Sequence, residues 1–322
     1  MNAALHRIGF DYVIDSSFGG DVVVMEQASE FAERFKKEEN LPMITTSCPS
    51  FVKYIEQFRP DLIPNLATVK SPHQVVGSLI KTWFTKLNHL APSKVHSTLI
   101  STCTAAKYEA HESDNKSAKD ADIDVVLTTR ELIRLIKLNG IDLQTLEHEP
   151  ADGPFHATTS AGKLFAVAGG EAEATLRTIH YILENKELPE IRMSKFRGTR
   201  DVREVTVDTH IRELKVASVS GLKKAIKVLE DIANGKKSYD LLEIMVCPDG
   251  CVGGGGQPIP LTEHDVKTRM KMIYDTDKNE SLNAAHKNLA VRKMYEEFAK
   301  APWSEESRQI LHTSYAERKV LK

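Results

Sequence analysis

The sequence predicts an α/β protein: two lobes of mostly parallel sheet flanked by helices, with a helical strap at the C-terminal end. Three observations carry this reading. Short apolar runs alternate with stretches whose apolar residues recur at i, i+4, i+7 and i+11, and strand then helix, repeated, implies parallel sheets covered by helices. A length of 322 residues with 41% hydrophobic content is enough for two lobes with their own cores, or for one large unit. After Pro260 the pattern turns helical and polar to the end.

Taken in order, the chain starts abruptly. Residues 8–15 read as the end of a helix running into a strand, as in a domain whose first element lies upstream of Met1. Val24, Ala28, Phe31 and Phe35 mark the first helical stripe. The run 43–46 reads as a buried strand, as do 94–101, 123–128, 214–219 and 241–246, because strands covered on both faces are near-continuously apolar. Val76, Ile80, Trp83 and Leu87 form a second helix, with Ser71 as N-cap and Pro72 at its first position. Ala172, Leu176, Ile179 and Leu183 form a third helix; Leu222, Ile226, Leu229 and Ala233 form a fourth, stopped at Asn234-Gly235. Residues 152–162 are a polar loop and 186–213 are charged, so the lobe boundary falls within 150–212. Residues 1–260 then make the two-lobed unit and 261–322 the strap.

Composition excludes several classes. The 43 basic and 45 acidic residues are interspersed and the net charge is −2, so no one-signed basic face is offered to nucleic acid or acidic lipid. No apolar run is long enough to span a membrane, and the first residues lack the apolar core of a signal peptide. The expectation is a soluble, cytoplasmic protein.

Four cysteines, Cys48, Cys103, Cys247 and Cys251, are too few for a disulfide scaffold. Cys48 follows the strand 43–46, Cys103 follows 94–101, and Cys247 follows 241–246 with Cys251 four residues on. Ligands of parallel α/β sheets bind beyond the carboxyl ends of the strands. Pro49 and Pro248 fix the turns after two of these cysteines, and Gly253 to Gly256 let backbone approach a bulky inorganic group and offer N–H donors to sulfur. Four thiolates at one site suit zinc or an iron–sulfur cluster. One C-x3-C and two isolated cysteines suit a cluster between lobes better than a zinc ribbon. Taken alone, Cys103 reads as a small buried hydrophobe; a thiol nucleophile partnered by one of 12 histidines is a third option, without a supporting motif.

At these cysteines the sequence resembles the catalytic domain of the iron-only ([FeFe]) hydrogenases. The family's T-S-C-C-P stands here as Thr45-Thr46-Ser47-Cys48-Pro49. Its P-C-T-x-K-x-x-E stands as Thr102-Cys103-Thr104-Ala105-Ala106-Lys107-Tyr108-Glu109, and its C-P-x-G-C-x-x-G-G-G-Q-P as the run from Cys247 to Pro258. The resemblance covers nearly the whole chain, with the tail similar to the family's small subunit. It implies a [4Fe–4S] cubane on Cys48, Cys103, Cys247 and Cys251. Cys251 would also bridge to a two-iron unit carrying CO, cyanide and a dithiolate, where H2 is split or formed. It further implies Gly253 and Gly254 in the cofactor cradle, Met245 beside the two-iron unit, and Glu30 and Arg34 as outer members of a proton relay.

The departures fall on that relay and on the cyanide contacts. Ser47 stands where the family has its relay cysteine, and a hydroxyl is a poorer proton carrier than a thiol of pKa ~8.5. Gln27 replaces the relay glutamate and Ala67 a relay serine. The lysine that contacts a cyanide corresponds to Ala106, with Lys107 one position late, and Ser101-Thr102 replaces Met-Pro. His73 replaces a glutamine and reads either as a polar first-turn helix residue or as a proton carrier. Glu30 and Arg34, without the family, read as a solvated i, i+4 pair. With no further cysteine for accessory clusters, electrons are expected from a ferredoxin-like protein or cluster-bearing subunit, and the site from cluster maturation proteins. Three functions follow: an H2/proton oxidoreductase slowed by its interrupted relay, an H2 sensor or regulatory subunit, and an iron–sulfur scaffold without the two-iron unit.

Overall fold

The computed structural model describes residues 1–112, 115–118, 120–190 and 192–320. Six strands form two sheets. β1 (Met43–Ile44), β6 (Leu241–Met245), β5 (Leu214–Ser220) and β4 (Val202–Val207) lie in that order, and β2 (Thr98–Ser101) pairs with β3 (Val125–Thr128) in a separate sheet. β1, β6 and β5 are parallel, from Met43 opposite Leu241 to Ser220 opposite Met245; β2 and β3 are parallel from Thr98 opposite Val125. The α/β class with mostly parallel sheets is therefore what the chain adopts.

The helix Ser17–Lys37 is the central post. It packs against the helices Gly170–Glu184 and Pro72–Leu79, and its Phe18, Phe31 and Phe35 join Trp83 and Leu176 in the main core. A second core lies under the helices Pro49–Phe58 and Leu222–Ala233, where Ile44, Phe51, Val219, Leu229 and Leu242 meet. Burial of such stripes, more than helix propensity, holds elements of this length in place.

Four expectations are corrected. Residues 9–16 form no strand; the helix Asn2–Ile8 ends at Gly9, which takes the left-handed conformation with φ 113°. β2 begins at Thr98, not 94, because Pro92–Lys94 is a 3-10 turn. β4 went unread inside the charged stretch 186–213: Arg203 and Val205 face inward and Glu204 and Thr206 outward, a period-2 pattern hidden by a buried arginine. It pairs antiparallel with β5. The C-terminal strap is not merely external. Val291, Met294, Tyr295, Ala299 and Leu311 are part of the main core, since apolar residues at i, i+3 and i+4 suffice to seat an otherwise polar helix. Among the described residues no helix is long and apolar enough to cross a membrane.

Candidate metal centre

The cysteines lie where the parallel strands end. β1 leads into Cys48, which is the N-cap of the helix Pro49–Phe58 in an extended conformation, with Pro49 at the first helical position. β2 leads into Cys103, whose N–H is bonded to Ser101 Oγ at 3.1 Å. β6 leads into Cys247, and Cys251 opens a short 3-10 turn. All four are free thiols, each half-buried.

Glycine geometry welds two of these segments together. Gly256 N–H donates to Thr102 O at 2.8 Å. A Cβ on Gly254 would stand 2.4 Å from the same carbonyl oxygen, so only glycine allows this approach. Gly250, at φ 94°, turns the C-x3-C loop where a Cβ would strike Ala168 N at 2.5 Å, and Ala168 N–H holds Asp249 O at 3.1 Å. Gly253 faces Pro248 O with no room for a side chain, 2.8 Å from its Cβ position.

The four thiols sense one another. Burial pushes Cys48 up to about 12, opposed by the N–H groups of Val246 and Phe51 and reinforced by Cys103 and Cys247. Cys103 is raised by burial and relieved by the N–H groups of Ala106 and Ala105, and Cys247 is raised by burial and relieved by Gly255. Cys251 is raised furthest, by burial and then by Cys48, Cys103 and Cys247 together with Glu171. Such thiols stay protonated until a cation displaces the proton. They do not close on one point: no three His, Cys, Asp or Glu side chains among the described residues are gathered tightly enough to grip a single ion. Four thiols at strand ends, with backbone N–H groups aimed at three of them, fit an iron–sulfur group. Met245 is buried yet belongs to none of the apolar clusters among the described residues.

Around the thiols lie two hydrogen-bonded networks. The inner one converges on Glu171, which is 1% exposed. Ser47 Oγ donates to its Oε1 at 2.8 Å and Gln27 Nε2 at 3.1 Å, while Thr45 Oγ1 donates to its Oε2 at 3.1 Å. Glu171 is raised to about 8 by burial first, then by Glu243. Glu243 itself accepts N–H bonds from Gly169 at 2.7 Å and Ala172 at 2.6 Å. The outer network begins at Arg34 Nη2, 2.5 Å from Glu30 Oε1, and passes from Glu30 Oε2 to Thr68 Oγ1 at 3.1 Å. From there it runs to His312 Nδ1 at 2.8 Å and from His312 Nε2 to Glu26 at 3.0 Å. Glu30 is thus buried, Arg34 is part-buried, and both are wired, not a solvated pair. No hydrogen bond among the described residues joins the two networks, and Ala67 has no side-chain donor or acceptor to offer.

Lys107, the lysine nearest the family's cyanide-contacting position, points away at the surface. Its Nζ lies 2.6 Å from Glu131 Oε1 at the surface, because Glu131 is held there by the capping box it forms with Thr128. His73 pairs with Glu109 at 2.5 Å. Glu171, Thr68, His312 and Glu26 went unread in the sequence; an acidic residue directly after Gly169-Gly170, at the start of an apolar helix, was the available signal for the first.

A twin-sheet α/β protein with four thiols at its strand ends is thereby defined. The family description "Iron only hydrogenase large subunit, C-terminal domain" matches residues 1–255, and "Iron hydrogenase small subunit" matches 263–318. The chain belongs to the iron-only hydrogenase family. It is similar to the NADP-reducing hydrogenase subunit HndD of Solidesulfovibrio fructosivorans, 36% identical over 100% of this chain and 56% of that protein. It is also similar to the cytosolic iron-sulfur assembly component 3 of Rattus norvegicus, 30% identical over 98% of this chain and 68% of that protein. A variant of [FeFe]-hydrogenase HydA1 from Chlamydomonas reinhardtii superposes with TM-score 0.87 at 30% identity, covering 98% of this chain and 87% of that one. The chain spans about half the length of its bacterial hydrogenase relatives, 56% and 55%.

Proposed function

We propose that the chain is a hydrogenase-like oxidoreductase domain whose four thiols hold a [4Fe–4S] cubane, with a two-iron unit attached through Cys251. The observation that carries this reading is the placement of Cys48, Cys103 and Cys247 just beyond the ends of β1, β2 and β6, with Cys251 in the glycine-tied loop that follows. When bound, the group supplies electron transfer and the splitting or formation of H2. The chain's own residues do the rest. The N–H groups of Phe51, Val246, Ala105, Ala106 and Gly255 stabilise negative charge on sulfur. The glycine run keeps side chains out of the cradle, and Met245 supplies apolar packing. Turnover is slow, because positioned proton transfer contributes about 10²–10⁴-fold to a rate and the outer network ends before Ser47. Electrons come from a ferredoxin-like protein or cluster-bearing subunit, in a cytoplasmic setting, and maturation proteins install the group.

One observation favours a second reading, an iron–sulfur scaffold without the two-iron unit: Lys107 is turned outward to Glu131, so this lysine is engaged at the surface and not offered to a cyanide. Infrared spectra after maturation separate the two. CO and cyanide stretches are expected; a paramagnetic cubane signal without them would leave only the scaffold.

A further inference from the structure

We propose that Glu171 takes up a proton when a cluster held by the four cysteines gains an electron, and that it acts on the site through Ser47. This rests on the reading of the cysteines as cluster ligands. Three donors from two separate elements aim at this one carboxyl: Ser47 and Thr45 from the segment around Cys48, and Gln27 from the helix Ser17–Lys37. Gln27 is itself oriented, its Oε1 accepting from Thr175 Oγ1 at 2.9 Å. The carboxyl that the family resemblance places at position 27 is absent, and a carboxyl stands instead on the facing helix, bonded to both Gln27 and Ser47.

The surroundings decide which of two buried acids carries the proton. Glu243 is built as a carboxylate: two backbone N–H groups and Ser218 Oγ donate to it, and Arg203 favours its charge from β4, beyond β5 in the sheet. Glu171 has two hydroxyls and an amide, with no backbone N–H or cation among its hydrogen-bond partners in the described residues. Its charged neighbour is Glu243 from β6, of its own sign, and Cys251 from the loop interacts with it as a thiolate would once a cluster is bound. Pairs whose environments differ in this way divide their roles. Added negative charge at the cysteines therefore raises the proton affinity of Glu171. The balance is one electron to the cluster from an external reductant and one proton from solvent to the Glu171 carboxylate, giving a neutral acid; oxidation returns both.

The test uses the full chain loaded with its cubane and reduced with dithionite, with the midpoint potential read by paramagnetic resonance from neutral to alkaline pH, through and above the value of about 8 to which burial raises Glu171. Wild type is expected to show a potential that falls with rising pH, as a couple taking one proton per electron does. Glu171→Gln is expected to be pH-independent with a higher potential, and Glu171→Asp to restore the slope. An unchanged slope in Glu171→Gln overturns the proposal. Should that variant fail to take up the cluster, the oxidised-minus-reduced infrared spectrum of wild type decides: a carboxylic acid carbonyl band gained on reduction supports it, and its absence refutes it. A wild-type chain that binds no cluster overturns the ligand assignment instead, a separate and visible failure.

Discussion

The cysteine frame and the side-chain networks beside it are built in opposite ways. Around Cys103, Cys247 and Cys251 the structure is held by backbone: Gly256 N–H on Thr102 O, Ala168 N–H on Asp249 O, and glycine positions where a Cβ would meet main chain below 3 Å. Around Ser47 it is held by side chains, Glu171 with three donors inside and Glu30, Thr68, His312 and Glu26 outside. Backbone contacts of that closeness tolerate almost no substitution. A side-chain network can exchange a carboxyl on one helix for a carboxyl on its neighbour, and Gln27 with Glu171 has that form.

That contrast can be broken, and the sharpest attempt is on the frame. Cys247→Ala is expected to abolish cluster incorporation, with iron content and paramagnetic signal falling to background after reconstitution. Full iron in this variant would show that the frame is not a set of ligands. A smaller effect is expected on the outer network. Glu30→Gln leaves the nearly buried Arg34 short of its 2.5 Å carboxylate partner, which costs about 1–3 kcal/mol in denaturant unfolding; an unchanged midpoint would mean that the buried pair is energetically idle. The smallest effect is expected from Ser47→Cys alone. Its turnover should rise less than about tenfold, a fraction of what complete proton transfer contributes, because Ala67 still separates the outer network from the inner one. A hundredfold gain would show that the two networks already communicate.

The parts of the fold that were legible had a local signature. The helix Pro72–Leu79 opens at Ser71 and Pro72 as read, and continues through a π turn at Ile80–Phe84 to Leu87, so the stripe Val76, Ile80, Trp83 and Leu87 predicted one long helix. β5 and β6 were visible as mostly apolar runs, each broken by a charged residue, Lys215 and Glu243. β4 was not, because its inward positions include Arg203, and neither was the burial of the C-terminal segment, whose few apolar residues carry weight only once the helix Ser17–Lys37 is beside them.

By itself the sequence determined the cysteine frame: cysteines two to six residues beyond strand ends, prolines that set the turns, and glycines where backbone must come close. Those are short-range constraints, expressed within a dozen residues. Only the tertiary structure decided the proton side. Ser47 meets Glu171 across 124 positions and Glu26 meets His312 across 286, and the state of a buried carboxyl depends on which donors and charges the fold brings to it. No spacing along the chain encodes that; desolvation and partner geometry exist only after the two lobes and the C-terminal segment have closed around them.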